Sequence, residues 1–227
     1  MTPERYQRII NVLNKRQPDL TVITDEVHKG RNIAAIVRTC DAVGIDTVHA
    51  VIPKAGFQAY RGTALGSEKW VEVKLYESPL RPIEILKDQG FQIVAAHLSE
   101  DAKDYREIDY TQPTALLMGT EKYGVSELAV QAADYSVTIP MQGMVGSFNV
   151  SVACAIIMAE ARHQREQAGL YESPRLPQSL YQQRLFCWCY PDLAAYCHQH
   201  SLDYPALNEK GDLVDGPGWY QSVRARE

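Results

Sequence analysis

The stretch Ile139-Pro140-Met141-Gln142-Gly143-Met144-Val145-Gly146-Ser147-Phe148-Asn149-Val150-Ser151-Val152-Ala153 lies where one periodicity ends and another begins. Residues 135–139 predict a strand that runs into Pro140, which cannot donate to a sheet ladder and so stops it. Beyond the stretch, Val150, Cys154, Ile157 and Ala161 recur at helical spacing. Gly143 and Gly146 bracket a loop that is free to take φ > 0 and to bring its backbone close to a ligand. Ser147 or Asn149 can cap the following helix. Unpaired N–H groups at a helix start, with glycines ahead of them, suit a polar or anionic small molecule. An ordinary strand–loop–helix connection satisfies the same pattern.

Outward from this point, strands and helices alternate. Residues 20–27 (LTVITDEV) are rich in β-branched residues and predict a strand. In the helix predicted over 32–43, Ile33, Ile36, Val37 and Cys40 share a face, and Gly44 suits the C-cap. Residues 47–52 are the next strand, so the start is β–α–β, with a parallel sheet and a right-handed crossover. Residues 53–69 are glycine-rich and polar, a loop or short frayed helix. Further strands are predicted over 70–76, 91–97 and 114–118, and helices over 82–89 and 126–133, the latter capped by Ser126. A loop carries 105–110. The core is therefore α/β.

Two helical extensions flank it. Residues 1–19 carry a helix with Tyr6, Ile9, Ile10 and Leu13 on one face, Thr2 as cap, Pro3 at its first position and Pro18 ending it. The central domain spans 20–168. From 169 to 227, Pro174, Pro177, Pro191 and Pro205 punctuate short helical pieces, and Gly216-Pro217-Gly218 makes a turn.

The 227 residues can bury a sizeable core without staples, and 45% hydrophobic with 22% charged residues is the balance of a soluble globular protein. No apolar run approaches a membrane span, and the N-terminus lacks a signal-peptide core. Five cysteines, an odd number, favour a reducing compartment, so a cytoplasmic location is expected. The net charge of −5 argues against bulk nucleic-acid binding but leaves room for a local basic face. One such face is the N-terminal helix, where Arg5, Arg8, Lys15 and Arg16 outweigh Glu4. GxGxxG, Walker and HExxH patterns are absent. Cys187, Cys189, Cys197, His198 and His200 lie close together, but Cys187-x-Cys189 is tighter than zinc spacing, and no metal is expected.

Three polar segments recur at the ends of predicted parallel strands, where α/β ligands gather. They are Asn32-Ile-Ala-Ala-Ile-Val-Arg38-Thr-Cys-Asp-Ala-Val-Gly44, Gly119-Thr-Glu121-Lys-Tyr-Gly124 and Ser147-Phe-Asn149-Val-Ser-Val-Ala153. Taken singly, Arg38 reads as a solvated arginine, Glu121 as a charge at a helix start and Asn149 as a cap. In this order they resemble the signature motifs of the SpoU/TrmH branch of the SPOUT superfamily, S-adenosylmethionine-dependent RNA ribose 2′-O-methyltransferases. The first matches N-x-x-A-x-x-R-x-x-x-A-x-G, the second G-x-E-x-x-G and the third, with Ile139-Pro140-Met141, I-P-M-x-G…S-L-N-V-S-V-A. The match covers residues 20–165, and the flanks 16–22 and 104–110 are similar to those of the tRNA-modifying members.

The resemblance implies a fold that the rule against threaded chains would reject, a SPOUT-type parallel sheet with a C-terminal deep trefoil knot. It implies S-adenosylmethionine as cofactor, a homodimer, and tRNA as substrate, with the D-loop guanosine as acceptor. Ala96, Gly119, Ile139, Met141 and Phe148 are its implied cofactor contacts. Phe148 stands where the family usually has leucine, and Ala96 where threonine is common. Arg38 is the implied catalytic group, with Asn32, Glu121, Ser147 and Asn149 orienting it, the ribose and the loops. An arginine almost never deprotonates, so Arg38 is expected to hold a phosphate and stabilise the emerging oxyanion. Arg5, Arg8, Lys15, Arg16, Lys29, Arg31 and Arg61 are the expected RNA contacts. The same chemistry on ribosomal RNA or another tRNA position, or a non-catalytic RNA-binding relative, would carry similar motifs.

Overall fold

Apolar runs flanked by turn residues build a sheet whose strands are all parallel. In the computed structural model, which describes residues 1–52 and 69–224, the larger of two compact units spans Gln17–Glu172. Its strands are β1 (Leu20–Thr24), β2 (Thr47–Val51), β3 (Glu72–Tyr76), β4 (Gln92–Ala96), β5 (Lys103–Asp104), β6 (Thr114–Met118) and β7 (Tyr135–Thr138). They pair in the order β3-β2-β1-β6-β4-β7-β5, each neighbour parallel. The strands β1 and β6, side by side in the middle, are buried at every position, as a sheet covered on both faces requires. The edge strand β3 is mostly exposed or half-buried and correspondingly polar.

The smaller unit's first helix is α1 (Pro3–Leu13); in the larger unit follow α2 (Gly30–Ala42), α3 (Leu80–Asp88), α4 (Glu127–Ala132) and α5 (Val150–Gln167). One core joins Ile33, Ile36, Val37 and Cys40 of α2 with Cys154, Ile157, Met158 and Ala161 of α5 over Val22, Val48, Val94 and Leu116. The opposite core joins Ile83 and Leu86 of α3 and Ala129 of α4 with Ile23, Ile93, Ala95 and Leu117. Alternate residues of β1 and β6 thus feed opposite faces, as the period of two demands.

The predicted elements form with ends shifted by a few residues. Gly44 follows α2 with φ +86°, the left-handed turn expected at a helix end. Asn149 rather than Ser147 caps α5, its side chain accepting from the Ser151 amide at 2.9 Å. Three expectations change. β5 lies just ahead of the 105–110 loop, where no strand is expected because two polar residues carry no periodicity, and Tyr105–Glu107 of that loop form a short 3-10 helix. Ser126 sits at the start of α4 but makes no side-chain cap; its amide instead donates to the buried Asp25 carboxylate at 2.8 Å. Gly143 and Gly146 stay out of the left-handed region, and a Cβ on either would meet open space. Neither positive φ nor close packing within the chain therefore requires glycine at these two positions.

Arg165 ties the end of α5 to the sheet. Its fully buried guanidinium donates to the Tyr110 carbonyl (2.8 Å), Gln17 Oε1 (2.9 Å), Asp19 Oδ1 (2.8 Å), the Asp19 carbonyl (3.1 Å) and the Gln112 carbonyl (3.2 Å). Removing one partner of such a buried network leaves the others desolvated and unmatched. We expect Arg165→Leu to lower the free energy of unfolding by about 3–5 kcal/mol, read as a shifted midpoint in urea titration.

The second unit comprises Met1–Arg16 and Ser173–Glu227. It contains α1, α6 (Gln178–Cys189), α7 (Pro191–Gln199) and α8 (Gly216–Arg224), and Gly216-Pro217-Gly218, expected as a turn, instead form the first turn of α8. Thr2 caps α1 by accepting from Arg5 N, and Asn14 at its end accepts from the Tyr181 hydroxyl at 2.8 Å. Among the described residues, no helix is long and apolar enough to cross a membrane, and no group of three or more His, Cys, Asp or Glu side chains is placed to hold a metal ion.

Candidate functional site

Because all strands point the same way, their carboxyl ends share one edge of the sheet. There the segments after β4, β6 and β7 and the start of α5 enclose a cavity of about 310 Å³. Ala96 and His97 come from β4, Gly119 to Glu121 and Gly124 from β6, Ile139 and Met141 from β7, and Ser147, Phe148 and Val150 from the turn into α5. All five residues expected to hold the cofactor, Ala96, Gly119, Ile139, Met141 and Phe148, line it. The walls mix apolar side chains with a few polar groups, the make-up of a small-molecule site. Phe148, at 41% exposure, forms part of the open side.

The floor of the cavity depends on one close approach. Thr120 and Gly124 exchange backbone hydrogen bonds at 2.8 and 2.9 Å, closing the loop between them, and Gly124 takes φ +69° to do so. This folds Gly124 back onto Gly119, where a Cβ would lie 2.0 Å from the Gly124 carbonyl carbon. Position 119 therefore admits only glycine.

Glu121, on that loop, is where the first and third motifs meet. Its Oε1 accepts from Asn32 Nδ2 and from Asn149 Nδ2 at 3.3 Å. Asn149 Nδ2 also lies 3.3 Å from Asn32 Oδ1. Lys29 Nζ meets Glu121 Oε2 at 2.6 Å. The Lys29 hydrogen bond, followed by that from Asn32, holds the Glu121 carboxyl below its ordinary range against desolvation that raises it. The cluster is thus an ionised acceptor flanked by two amides, beside the cavity that Glu121 and Ser147 line.

Arg38 stands elsewhere. It is exposed on α2 and, with Arg31, Ala34, Ala35 and Thr39, lines a groove of about 660 Å³ against Ser151, Val152, Ala155, Ile156 and Ala159 of α5. The link between groove and cavity is Ser151, whose hydroxyl donates to Asn149 Oδ1 at 2.7 Å. Within one chain, then, four of the five expected catalytic residues gather at the cavity or its polar cluster, and Arg38 does not.

Of the expected RNA contacts, Arg5, Arg8 and Lys15 are exposed around α1, and Lys29 and Arg31 at the start of α2. Arg61 lies outside the described residues. Arg16 departs from expectation: it is 0% exposed, its guanidinium 5.1 Å from the centre of the Trp188 ring. Trp188 arrives from α6, 172 positions along the chain by their numbers, so nothing local to Arg16 foretold its burial. Sequence reasoning also missed His97 and Thr120 in the cavity and the pairing of Lys29 with Glu121. His97 carried one usable signal, being the polar residue that ends an apolar strand.

Comparison with known proteins agrees with this geometry. The SpoU rRNA methylase family model matches residues 19–159, and the model of the SpoU rRNA methylase C-terminal region matches residues 163–216. The chain is 46% identical over 227 residues, 99% of each sequence, to tRNA (guanosine(18)-2′-O)-methyltransferase of Escherichia coli K12. The crystal structure of the Aquifex aeolicus TrmH/SpoU tRNA-modifying enzyme superposes with a TM-score of 0.78 at 44% identity, covering 84% of this chain and 97% of that one. The SpoU methyltransferase AviRb from Streptomyces viridochromogenes, in complex with AdoMet, gives 0.59 at 26% identity over 68% of this chain and 62% of that one. A parallel sheet with its cavity at the carboxyl edge, a Glu121 cluster built from three motifs, and family matches along most of its length place the chain in the SpoU rRNA methylase family.

Proposed function

We propose that this protein transfers the methyl group of S-adenosylmethionine to the ribose 2′-oxygen of guanosine 18 in the D-loop of tRNA. The observation that carries this reading is the joining of the three motifs at Glu121, beside a cavity lined by all five expected cofactor residues. The name of the Escherichia coli relative supports the substrate. The cavity fits the cofactor in chemistry: apolar Ile139, Met141 and Phe148 suit an adenine ring.

The cofactor supplies an electrophilic methyl carbon on a sulfonium. Transfer then requires a 2′-oxygen held in line and relieved of its proton. Asn32 and Asn149 donate to Glu121, which fixes the start of α2 and the turn into α5 relative to the cavity. Arg38, exposed and cationic, holds a substrate phosphate and stabilises the developing oxyanion. Its place in the α2–α5 groove, outside the cavity of its own chain, supports a site completed by a second copy. Between Arg31 and Arg38 on one side and Ile156 on the other, that groove presents the small Ala34, Ala35, Ser151, Ala155 and Ala159, with Val152 45% exposed, a surface suited to close helix packing. The trefoil knot and homodimer of the family belong to this reading, as does action in the cytoplasm, where tRNA is at home and an odd number of cysteines fits a reducing compartment.

Incubating the purified protein with tRNA and labelled S-adenosylmethionine, then mapping 2′-O-methylation, tests the proposal. Label at guanosine 18 is the expected result; label elsewhere in tRNA, or in ribosomal RNA, would move the substrate assignment. Sedimentation of the same sample is expected to give a dimer. Arg5, Arg8, Lys15 and Arg31 are the proposed phosphate contacts, so tRNA affinity should fall steeply with salt. About four contacts correspond to a log–log slope of roughly −3; an affinity indifferent to salt would remove these basic residues from the reading.

A further inference from the structure

Lys29 is held at both ends by the cluster it borders. Its backbone carbonyl, just ahead of α2, accepts from the Asn32 amide at 2.9 Å. Its ammonium meets Glu121 Oε2 at 2.6 Å, while Glu121 Oε1 accepts from Asn32 and Asn149. One residue therefore fixes the backbone of the donor and the second oxygen of the acceptor in the Asn32–Glu121 bond. We infer that Lys29 is a positioning residue for methyl transfer, clasping the start of α2 to the Gly119–Gly124 loop so that Asn32 and the loop that lines the cofactor cavity keep one geometry. This inference rests on the proposed methyltransferase function and replaces the expectation that Lys29 serves RNA phosphate.

Charge supports the geometry. Ionisation strengthens the bonds that the carboxylate accepts from two amides, and Lys29 is the first cause holding the Glu121 carboxyl down. His28, from the same connection, acts on it more weakly and in the same direction. From its own loop, Lys122 lies over the Tyr123 ring, its nitrogen 4.8 Å from the ring centre. From α5 the neighbour is the uncharged Asn149. No other cation from these segments replaces Lys29 at Oε2 among the described residues.

The test compares Lys29→Met, close in shape but uncharged, with Lys29→Arg, which keeps charge and donors. We expect kcat of Lys29→Met to fall about 10- to 100-fold, the range seen when a residue that orients a site group is lost. Its KM for tRNA and the salt dependence of tRNA binding should stay within about twofold of wild type, and Lys29→Arg should recover most of the loss. Glu121 keeps a folded pKa below its ordinary value through Lys29, so without Lys29 that pKa rises and the acid limb of kcat moves to higher pH. In a Glu121→Gln background the Lys29→Met change should add nothing further. Weaker, less salt-dependent tRNA binding with unchanged kcat would make Lys29 a phosphate contact and overturn the inference. Additive effects of the two substitutions would also overturn it. Carbon-13 NMR of the Glu121 carboxyl separates this outcome from failure of the proposed function. Its titration should move upward in Lys29→Met even if the wild type methylates no tRNA, and an unmoved titration removes the clasp.

Discussion

Arg38→Ala is expected to lose about 100- to 1,000-fold in kcat, the penalty of deleting one preorganised donor to a developing oxyanion, while S-adenosylmethionine affinity changes only a few-fold. The two halves of the expectation have separate origins. The loss follows from the chemistry, since a ribose 2′-oxygen becoming an alkoxide needs a fixed positive charge and a water-poor surrounding. The retained affinity follows from the structure: Arg38 lines the α2–α5 groove and is absent from the cavity that Gly119, Met141 and Phe148 line. Arg38→Lys should rescue poorly, because a point charge does not reproduce the planar fork that grips a phosphate through two bonds. Single-turnover measurements with saturating cofactor would read the chemical step directly. Turnover at the wild-type level in Arg38→Ala would take this residue out of the mechanism.

A second large effect is expected at Gly119. Its added Cβ would stand 2.0 Å from the carbonyl carbon of Gly124 and 2.1 Å from the amide nitrogen of Val125, both backbone atoms. Neither can swing aside as a side-chain tip would. The Thr120–Gly124 hydrogen bonds must open, and with them the turn that presents Glu121 to Asn32 and Asn149. We expect Gly119→Ala to weaken S-adenosylmethionine binding by roughly 100-fold, as for a misplacement of about 1 Å in a preorganised site. The accompanying loss of stability should be about 1–3 kcal/mol, the range for forced overpacking. Calorimetric titration and urea unfolding on the same sample separate the two. Gly143→Ala is the internal control, because a Cβ there meets open space and Gly143 does not line the cavity, and it should bind within a few-fold of wild type. Full cofactor affinity in Gly119→Ala would mean that the loop does not form the floor of the binding site.

Much of this molecule is local. β1 and β6 are continuous apolar runs, which is why they occupy the buried middle of a parallel sheet. Asn149 is a residue type that caps helices, and it caps α5. Gly44 ends α2 in the left-handed turn that its lack of a Cβ allows. Periodicity, caps and turns act over a few residues, so the sequence by itself determined the α/β class, the strand–helix alternation and which loops carry polar groups. The resemblance of three motifs to one family then marked the loops to which the chemistry is assigned.

Other decisions waited for the chain to close on itself. Arg16 and Lys15 are neighbours of like charge, yet one is exposed and the other lies buried against Trp188. Lys29 reads as one basic residue among several until Glu121, from a distant loop, arrives 2.6 Å from its ammonium. Arg38 and Asn32 share α2, but a helix turns about 100° per residue, so six positions separate them by more than one and a half turns. Asn32 meets the polar cluster, and Arg38 faces the groove. The burial of Arg16 is set by α6 within the helical unit; the other two outcomes depend on strand order and on which face of α2 meets a partner from far along the chain. Those are properties of tertiary packing, of the sheet β3-β2-β1-β6-β4-β7-β5 in one unit and of the helices in the other, and burial and charge pairing could be decided only there.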